Sequence, residues 1–593
     1  MNLYYSKNSL DKKNNGGQNN DPRVRIILTT ILVVVSLIII KLFFLMIWQG
    51  GFYKALAAGS HEIFAQLYPK RGSVYIQDTR TEEKYPLAIN RDFFLLFADT
   101  RFIKNQEEIN NIIEKLSEIF GYEQEKKDGI FLQLSKDNDP YEPIEKKVDE
   151  KTKDKIEELN LPGISFIRSS HRFYPEGSLA SSIIGFLGQD SGGNNVGNYG
   201  IEGYWDKELA GSGGFYEGLK GAVGNKIAFG DAKFELAQDG TDITLTIDRT
   251  IQFQTCKILQ EAMLEYGAES ATAIVMDPMT GAIRAMCSLP DFDPNNYGSV
   301  DSVRVFNNSA IFTPYEPGSV FKPIVMAAAL NESVVTPQTY FFDTGIKEGI
   351  CDTPIKNANE AKYDDTNMIG VLENSINTGM VFVVERLGKE NLKNYVETFG
   401  FGAKSGLELD TEVGGTLDSL YRNDSNKIDC YSATASFGQG LTATPLQMTT
   451  AFSALANGGL LLKPYIVDEI DYSDGRIQKT KVKEIRKVIS GSSSSLISGM
   501  LVNVVDNGQA KKAQVHGFYV AGKTGTAQIS GFGGYSQETN HSFVGYAPVD
   551  NPKFVLFVKF EKPQRSFSST TAAPTFSKIA KFILEYYGVP PSR

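Results

Sequence analysis

The order of apolar and polar positions changes character several times along this chain, and each change marks a different element. Residues 1–25 are rich in Asn, Gly, Lys and Asp without periodic apolar positions, which predicts a disordered tail. From Ile26 to Trp48 the chain reads IILTTILVVVSLIIIKLFFLMIW, apolar throughout apart from Lys41 and a few small polar residues. A helix of that length extends about 34 Å, enough to cross a bilayer, and a lysine near its outer boundary can snorkel. A cleaved signal peptide is disfavoured, because the run is too long and lacks a small-residue cleavage site. Further on, NQEEINNIIEKLSEIFGY is charge-dense with helical spacing and predicts a solvated helical insertion near residues 104–160. The Gly-rich stretch from Gly192 to Gly230 predicts loops and short strands.

At Gly240 the pattern switches. DITLTID alternates as a strand does, and helical spacing follows from about Arg249. ATAIVMDPMTGAIRAMCSL reads as two β segments joined by a turn at Pro278 to Gly281. VFKPIVMAAAL and VLENSINTGMVFVVERLG predict helices; GFYVAGKTG, HSFVGYAPV and KFVLFVKF predict strands; a last helix runs from about Ala573 to Tyr587. This order predicts an α+β fold, a sheet covered by helices. The expected organisation is a tail (1–25), a transmembrane helix (26–48), a second segment (49–240) and the α+β domain (241–593).

Charge orients these pieces. Lys7, Lys12, Lys13, Arg23 and Arg25 outweigh Asp11 and Asp21 before the apolar run, whereas Lys54 stands alone after it until Lys70. The positive-inside bias therefore places the tail in the cytoplasm and everything beyond Gln49 outside it. The net charge of -10 argues against nucleic acid as a partner, since phosphate binding needs clustered Lys and Arg. Four cysteines are too few for a disulfide scaffold. Cys287, in AIRAMCSL, reads as a buried strand residue; Cys351 and Cys430 lie in polar loop-like sequence, where an oxidising compartment allows a bridge. His61, His171, His516 and His541 are scattered, without metal-ligand spacing or a Ser-His-Asp set, and read as structural.

One segment is ambiguous. GFYVAGKTGTAQ fits the phosphate-loop pattern through Gly517, Gly522, Lys523 and Thr524, and also contains the Lys-Thr-Gly of penicillin-recognising serine enzymes. A phosphate loop needs a strand before its first glycine and a helix from its lysine. Here bulky strand formers, Phe518 to Val520, occupy the place of the loop, and Gly525 and Thr526 interrupt any following helix. The segment therefore reads as an edge strand bordering a cleft. In YEPGSVFKP, Ser319 and Lys322 lie one helical turn apart, and Pro323 confines the helix start to about Gly318. A serine at a helix start with a lysine to take its proton is an activated nucleophile. Ser375-Ile376-Asn377 adds a hydroxyl and an amide, and Lys523-Thr524-Gly525-Thr526 a cation with hydroxyls suited to a carboxylate.

With these three motifs the chain resembles the class B penicillin-binding proteins. The likeness extends through LFFLMIWQGGFYKALA, KRGSVYIQD, HRFYPEGSLASSIIGFLG, GIEGYWDKELAG, DITLTIDRTIQ, VMDPMTGAIRAM, YEPGSVFKP, SFGQGLTATPLQMTTAFSALANGG and AGKTGTAQ. It implies an elongated, mostly β pedestal over 49–240 and a transpeptidase domain over 241–593 built on a five-stranded antiparallel sheet. It implies that Ser319 attacks the carbonyl between the terminal D-alanines of a peptidoglycan stem peptide, with Lys322 as base. Ser375 and Lys523 would return the proton, Asn377 would hold the donor amide, and Thr524, Gly525 and Thr526 would form the carboxylate subsite. The N–H groups of Ser319 and Thr526 are its candidate oxyanion donors. The resemblance implies no metal and no organic cofactor, inhibition by β-lactams, a single-pass anchor in the plasma membrane, and a SEDS-type glycosyltransferase as partner. YEPGS and the ending VLFVKFEKPQ…AAPTFSKIAKFIL resemble the division branch more than the elongation branch. A β-lactam sensor or β-lactamase would share the motifs but needs a carboxylate to activate water, and an idle scaffold would not need all three. Two departures stand out: Ile376 replaces a frequent second serine, and KRGSVYIQD lacks the usual Asp-Arg-Asn-Gly continuation.

Overall fold

The computed structural model describes residues 62–67, 69–219, 233–422, 428–531 and 534–593, with scattered helical positions between 31 and 41. The tail expected over 1–25, most of the span expected over 26–48 and His61 lie outside the described residues. Among the described residues no helix is long and apolar enough to cross a membrane.

The chain divides into two compact units. The smaller, Met1–Tyr68 with Gly213–Ala237, holds a three-stranded antiparallel sheet of Glu62–Leu67, Gly214–Leu219 and Lys233–Glu235. The larger, Pro69–Ser212 with Gln238–Arg593, holds two principal sheets.

The first sheet is seven-stranded and is built from β1 (Val74–Gln77), β2 (Lys84–Ala98), β3 (Glu142–Val148), β4 (Ile164–Phe173), β5 (Asp242–Asp248), β8 (Val467–Asp471) and β9 (Ile477–Lys479). Its order is β9-β8-β5-β1-β2-β3, with β4 also on β2. β5 is the strand expected after Gly240; it runs parallel to β1, with Ile243 opposite Val74, and antiparallel to β8, with Asp242 opposite Asp471. Gly72 permits the approach to β1, since a Cβ there would sit 1.9 Å from the Thr241 carbonyl oxygen.

The charge-dense insertion forms α1 (Gln106–Phe120), α2 (Gln124–Leu134) and α3 (Glu150–Glu158). Asn105 caps α1 by accepting from the Glu108 N–H at 2.9 Å, and Gly121 ends it in the left-handed region at φ 69°. The helical expectation omitted β3 between α2 and α3. In EPIEKKV the alternating Ile144 and Val148 turn inward to join Leu96, Ile112, Leu116, Ile130 and Ile156 in a separate core. GIEGYWDKELA, expected as loop, forms two short helices, Gly200–Tyr204 and Asp206–Ala210. They are pinned by fully buried Glu202, which accepts from Arg71 Nε at 2.8 Å and Arg172 Nε at 2.6 Å.

The second sheet is five-stranded and antiparallel, made of β6 (Ser270–Met276), β7 (Ile283–Leu289), β10 (Ala521–Gly531), β11 (Gly534–Ala547) and β12 (Phe554–Glu561) in the order β7-β6-β12-β11-β10. On one side α4 (Arg249–Tyr266) packs against α10 (Ala572–Tyr586); α5 (Lys322–Asn331), α8 (Pro445–Ala456) and α9 (Gly491–Asp506) form another helical layer. α6 (Met368–Glu373) and α7 (Asn377–Leu387) lie between α5 and α8 in the chain. Seven consecutive residues of β12 are buried, apolar except Lys559, because helices cover both faces of the sheet. Each large side chain buried there, such as Phe557 or Phe560, contributes about 1.5–3 kcal/mol. Cys287 is buried on β7, as expected, but it is bonded to Cys256 on α4, a pairing not foreseen; Cys351 and Cys430 are also bonded.

Candidate active site

YEPGS acquires its conformation from backbone contacts on both sides. The Tyr315 N–H donates to the Ala443 carbonyl at 3.0 Å, and the Gly318 N–H donates to that of Gly438 at 2.9 Å. Glu316 accepts from the Gly440 N–H at 3.2 Å and the Tyr535 hydroxyl at 2.9 Å. Gly318 is left-handed at φ 59°, and a Cβ on it would lie 3.0 Å from that of Ala527. The helix start expected near Gly318 is a 3-10 turn over Gly318–Phe321; α5 begins at Lys322 with Pro323 in its first turn. Ser319 lies in this turn, three positions before Lys322, the first residue of α5.

Lys322 is fully buried, and its Nζ donates to the Ser375 carbonyl at 2.6 Å and to Asn377 Oδ1 at 2.8 Å, with Ser375 Oγ 3.1 Å away. The continuous helix expected over VLENSINTGMVFVVERLG is broken: α6 ends at Glu373, α7 begins at Asn377, and Ser375 between them is left-handed at φ 56°. A non-glycine residue held there costs about 1–3 kcal/mol, and the break is what turns both oxygens of Ser375 onto Lys322.

Lys-Thr-Gly-Thr lies on β10, the edge of the five-stranded sheet, as expected. Gly525 lets this strand close onto the nucleophile's turn: a Cβ there would fall 2.7 Å from Ser542 Oγ, 3.0 Å from Val320 Cγ1 and 3.1 Å from the Pro317 carbonyl oxygen. Fully buried Lys523 donates to the Thr524 carbonyl at 3.1 Å. Burial pushes the Lys523 ammonium down to about 7. Burial, and secondarily the charge of Lys523, pushes that of Lys322 well below its ordinary value.

Ser319, Ser375, Asn377, Thr524 and Thr526 line one cleft of about 410 Å³. The sequence reading missed Phe437, Gln439, Gln509, Phe567 and Ser568, which also line it. Phe437 and Gln439 fall in SFGQG, one of the stretches carrying the resemblance; the others had no distinguishing signal. Chemically, the arrangement joins a half-buried hydroxyl, two lysines whose burial favours the neutral amine, and hydroxyl donors at the far wall.

Two family models match the chain: the penicillin binding protein transpeptidase domain over residues 271–581 and the penicillin-binding protein dimerisation domain over residues 66–245. The chain belongs to the class B penicillin-binding proteins, and it is a penicillin-sensitive serine D,D-transpeptidase of the bacterial cell wall. It is 37% identical to stage V sporulation protein D of Bacillus subtilis over 76% of this chain and 69% of that protein. It is 29% identical to a peptidoglycan D,D-transpeptidase FtsI homolog of Mesostigma viride, over 93% of this chain and 94% of the other. Among solved structures, penicillin binding protein 3 of Mycobacterium tuberculosis complexed with aztreonam superposes with a TM-score of 0.66 at 25% identity, covering 89% of this chain and 98% of that one.

Proposed function

We propose that Ser319 is the residue acylated, and that the donor is a peptidoglycan stem peptide ending in two D-alanines. The observation that carries this reading is the pair of obligate acceptors around Lys322: the Ser375 carbonyl and Asn377 Oδ1. A neutral lysine amine has two N–H bonds, and these two oxygens use both. The hydroxyl next to its remaining lone pair is that of Ser375, at 3.1 Å, and in the proposed reaction Lys322 takes the Ser319 proton as general base.

Ser319 Oγ bonds to the penultimate D-alanine carbonyl carbon as its proton passes to Lys322, and the N–H groups of Ser319 and Thr526 receive the oxyanion. The C–N bond to the terminal D-alanine then breaks, and the proton reaches the leaving amine through Ser375 and Lys523. An amine from a neighbouring stem attacks the ester, forms the cross-link and returns a proton to Ser319. Asn377 holds the donor amide; Thr524 and Thr526, with the close approach allowed by Gly525, hold the terminal carboxylate. Among the described residues lining the cleft none is acidic, which favours transfer to an amine over water activation as in a β-lactamase.

The reading extends to septal wall synthesis, supported by relatives named FtsI. It also includes a single-pass anchor over 26–48, a pedestal over 49–240 and a SEDS-type glycosyltransferase partner, supported by the apolar run and its flanking charges. Fluorescent penicillin should label the full-length protein, and Ser319→Ala should abolish labelling with little change in thermal midpoint. Label persisting on the variant would refute the assignment. Protease outside spheroplasts should digest the chain beyond Gln49 and spare the tail; a protected large domain would invert the topology.

A further inference from the structure

The residue preceding α7 is Ile376, whose side chain cannot accept a hydrogen bond, so the helix beginning at Asn377 has no cap of its own. Its first N–H groups are nevertheless satisfied. Asn357 Oδ1 accepts from the Asn377 N–H at 2.9 Å and the Thr378 N–H at 3.1 Å. A residue 20 positions upstream thus supplies the missing cap.

The Asn357 amide has one orientation available. Its Nδ2 donates to Asp343 Oδ2 at 2.8 Å and to the Ala361 carbonyl at 3.0 Å, both acceptors, while its Oδ1 faces two backbone donors. Asp343 is itself saturated. Its Oδ1 accepts from the Thr378 hydroxyl at 2.6 Å and the Gly345 N–H at 3.0 Å, and its Oδ2 also accepts from the Tyr363 N–H at 3.0 Å. All three side chains are buried: Asp343 is 0% exposed, Thr378 3% and Asn357 5%. Flipping or removing any of them strands a buried donor or acceptor.

This network ends on the cleft. Asn377 has its Oδ1 on Lys322 Nζ and its Nδ2 on the Lys356 carbonyl at 3.0 Å, the residue adjoining Asn357. One amide proton of Asn377 therefore remains for a substrate carbonyl. We propose that Asn357, oriented by Asp343, is a positioning residue of the transpeptidase: it caps α7 and holds the Asn377 side chain between Lys322 and the Lys356 carbonyl. A displacement of about 1 Å in such a group costs on the order of a hundredfold in rate.

The inference rests on the role proposed for Asn377, and its test separates the two. On the full-length protein, the acylation rate constant at saturating fluorescent penicillin is measured for Asn377→Ala, Asn357→Ala, Asn357→Asp, Thr378→Val, Thr378→Ser and the double variant Asp343→Asn with Asn357→Asp. Each variant is also tested for folding by thermal midpoint. Asn357→Ala should acylate about ten- to a hundredfold more slowly at saturation, with apparent penicillin affinity changed less than threefold. Asn357→Asp places two carboxylates face to face and should be at least as slow; the double variant, with one donor and one charge restored, should recover several-fold. Thr378→Ser keeps the hydroxyl and should exceed Thr378→Val, a comparison that stands even if Asn357→Ala does not fold. Wild-type rates in folded Asn357→Ala beside a slow Asn377→Ala would overturn the positioning role alone. A wild-type rate in Asn377→Ala would overturn the reading of Asn377 and the inference with it.

Discussion

Thr526 and Ser568 share two contacts at the wall of the cleft: the Ser568 N–H donates to Thr526 Oγ1 at 3.1 Å, and the two hydroxyl oxygens lie 3.0 Å apart. The Thr526 hydroxyl thus accepts from the Ser568 N–H on one of its two lone pairs and donates its proton to Ser568 Oγ, so a substrate carboxylate in this subsite would draw that proton from Ser568. Ser568 opens a 3-10 turn just before α10, so the C-terminal helix fixes the edge strand's hydroxyl.

Ser568→Ala deletes the hydroxyl contact alone, and Ser568→Pro deletes the backbone contact as well. Phe567 is extended, at φ -143° and ψ 144°, the conformation proline imposes on its predecessor, so Ser568→Pro removes the N–H without breaking the turn. Loss of one such hydrogen bond is worth about 1 kcal/mol, roughly fivefold. The KM for a D-Ala-D-Ala peptide should rise by about that factor in Ser568→Pro and less in Ser568→Ala, with kcat nearly constant. Unchanged KM in both variants would remove Ser568 from the subsite.

Gly525→Ala tests the closure of β10 on the nucleophile's turn. One of the atoms its Cβ would meet is the Pro317 carbonyl oxygen, which cannot rotate away. The strand must shift, at about 1–3 kcal/mol of stability and with at least a tenfold loss of acylation rate. Gly491→Ala, at the exposed start of α9 with open space around its Cβ, should leave both quantities within error. Equal behaviour of the two variants would mean that the cleft tolerates the displacement.

How far these features were legible beforehand depends on the range of the interaction that makes them. Ser319, Lys322 and the helix start could be read because Gly318 and Pro323 act within a few residues of the chain. The Lys-Thr-Gly-Thr edge strand could be read because Phe518 to Val520 and Thr526 exclude the phosphate loop locally. The break at Ser375 could not, since VLENSINTGMVFVVERLG keeps helical spacing across it; the interruption is sustained by Lys322 and Asn357 from elsewhere in the chain. Cys256 and Cys287 were hidden for a similar reason: one sits in a helical pattern, the other in a strand, and only the packing of α4 on β7 brings them together.

That pairing carries its own expected outcome. The Cys256–Cys287 bond closes a loop of 31 residues, which in the chain-entropy account stabilises by about 3–4 kcal/mol. Cys256→Ala with Cys287→Ala should lose stability of that order in urea unfolding, while acylation at a temperature where the protein stays folded should be unaffected, because neither residue lines the cleft. A slowed acylation step would tie this bond to the site; an unchanged midpoint would show that the loop closure contributes nothing.

The two buried lysines predict a stability that depends on pH with a definite sign. Lys523 titrates near 7 when folded and near 10.4 when unfolded. Between those values the unfolded chain holds a proton that the native protein has released, so stability rises as pH increases from about 7 towards 10. Lys322, lowered by burial and then by the charge of Lys523, acts in the same direction. Below pH 7 the native state carries the full cost of a buried ammonium. Lys523→Met removes that cost, along with the nearby charge that Lys322 feels. The variant should therefore be more stable than wild type at pH 7, with the difference shrinking as pH rises and a flatter dependence of the urea midpoint between pH 7 and 9.5. Its acylation should fall at least a hundredfold, since the amine that returns the proton is gone. A variant less stable at pH 7, or one with the wild-type slope, would mean that Lys523 is stabilised as a cation by contacts outweighing its burial. A stabilised and inactive protein would place the cost of catalysis in this buried amine.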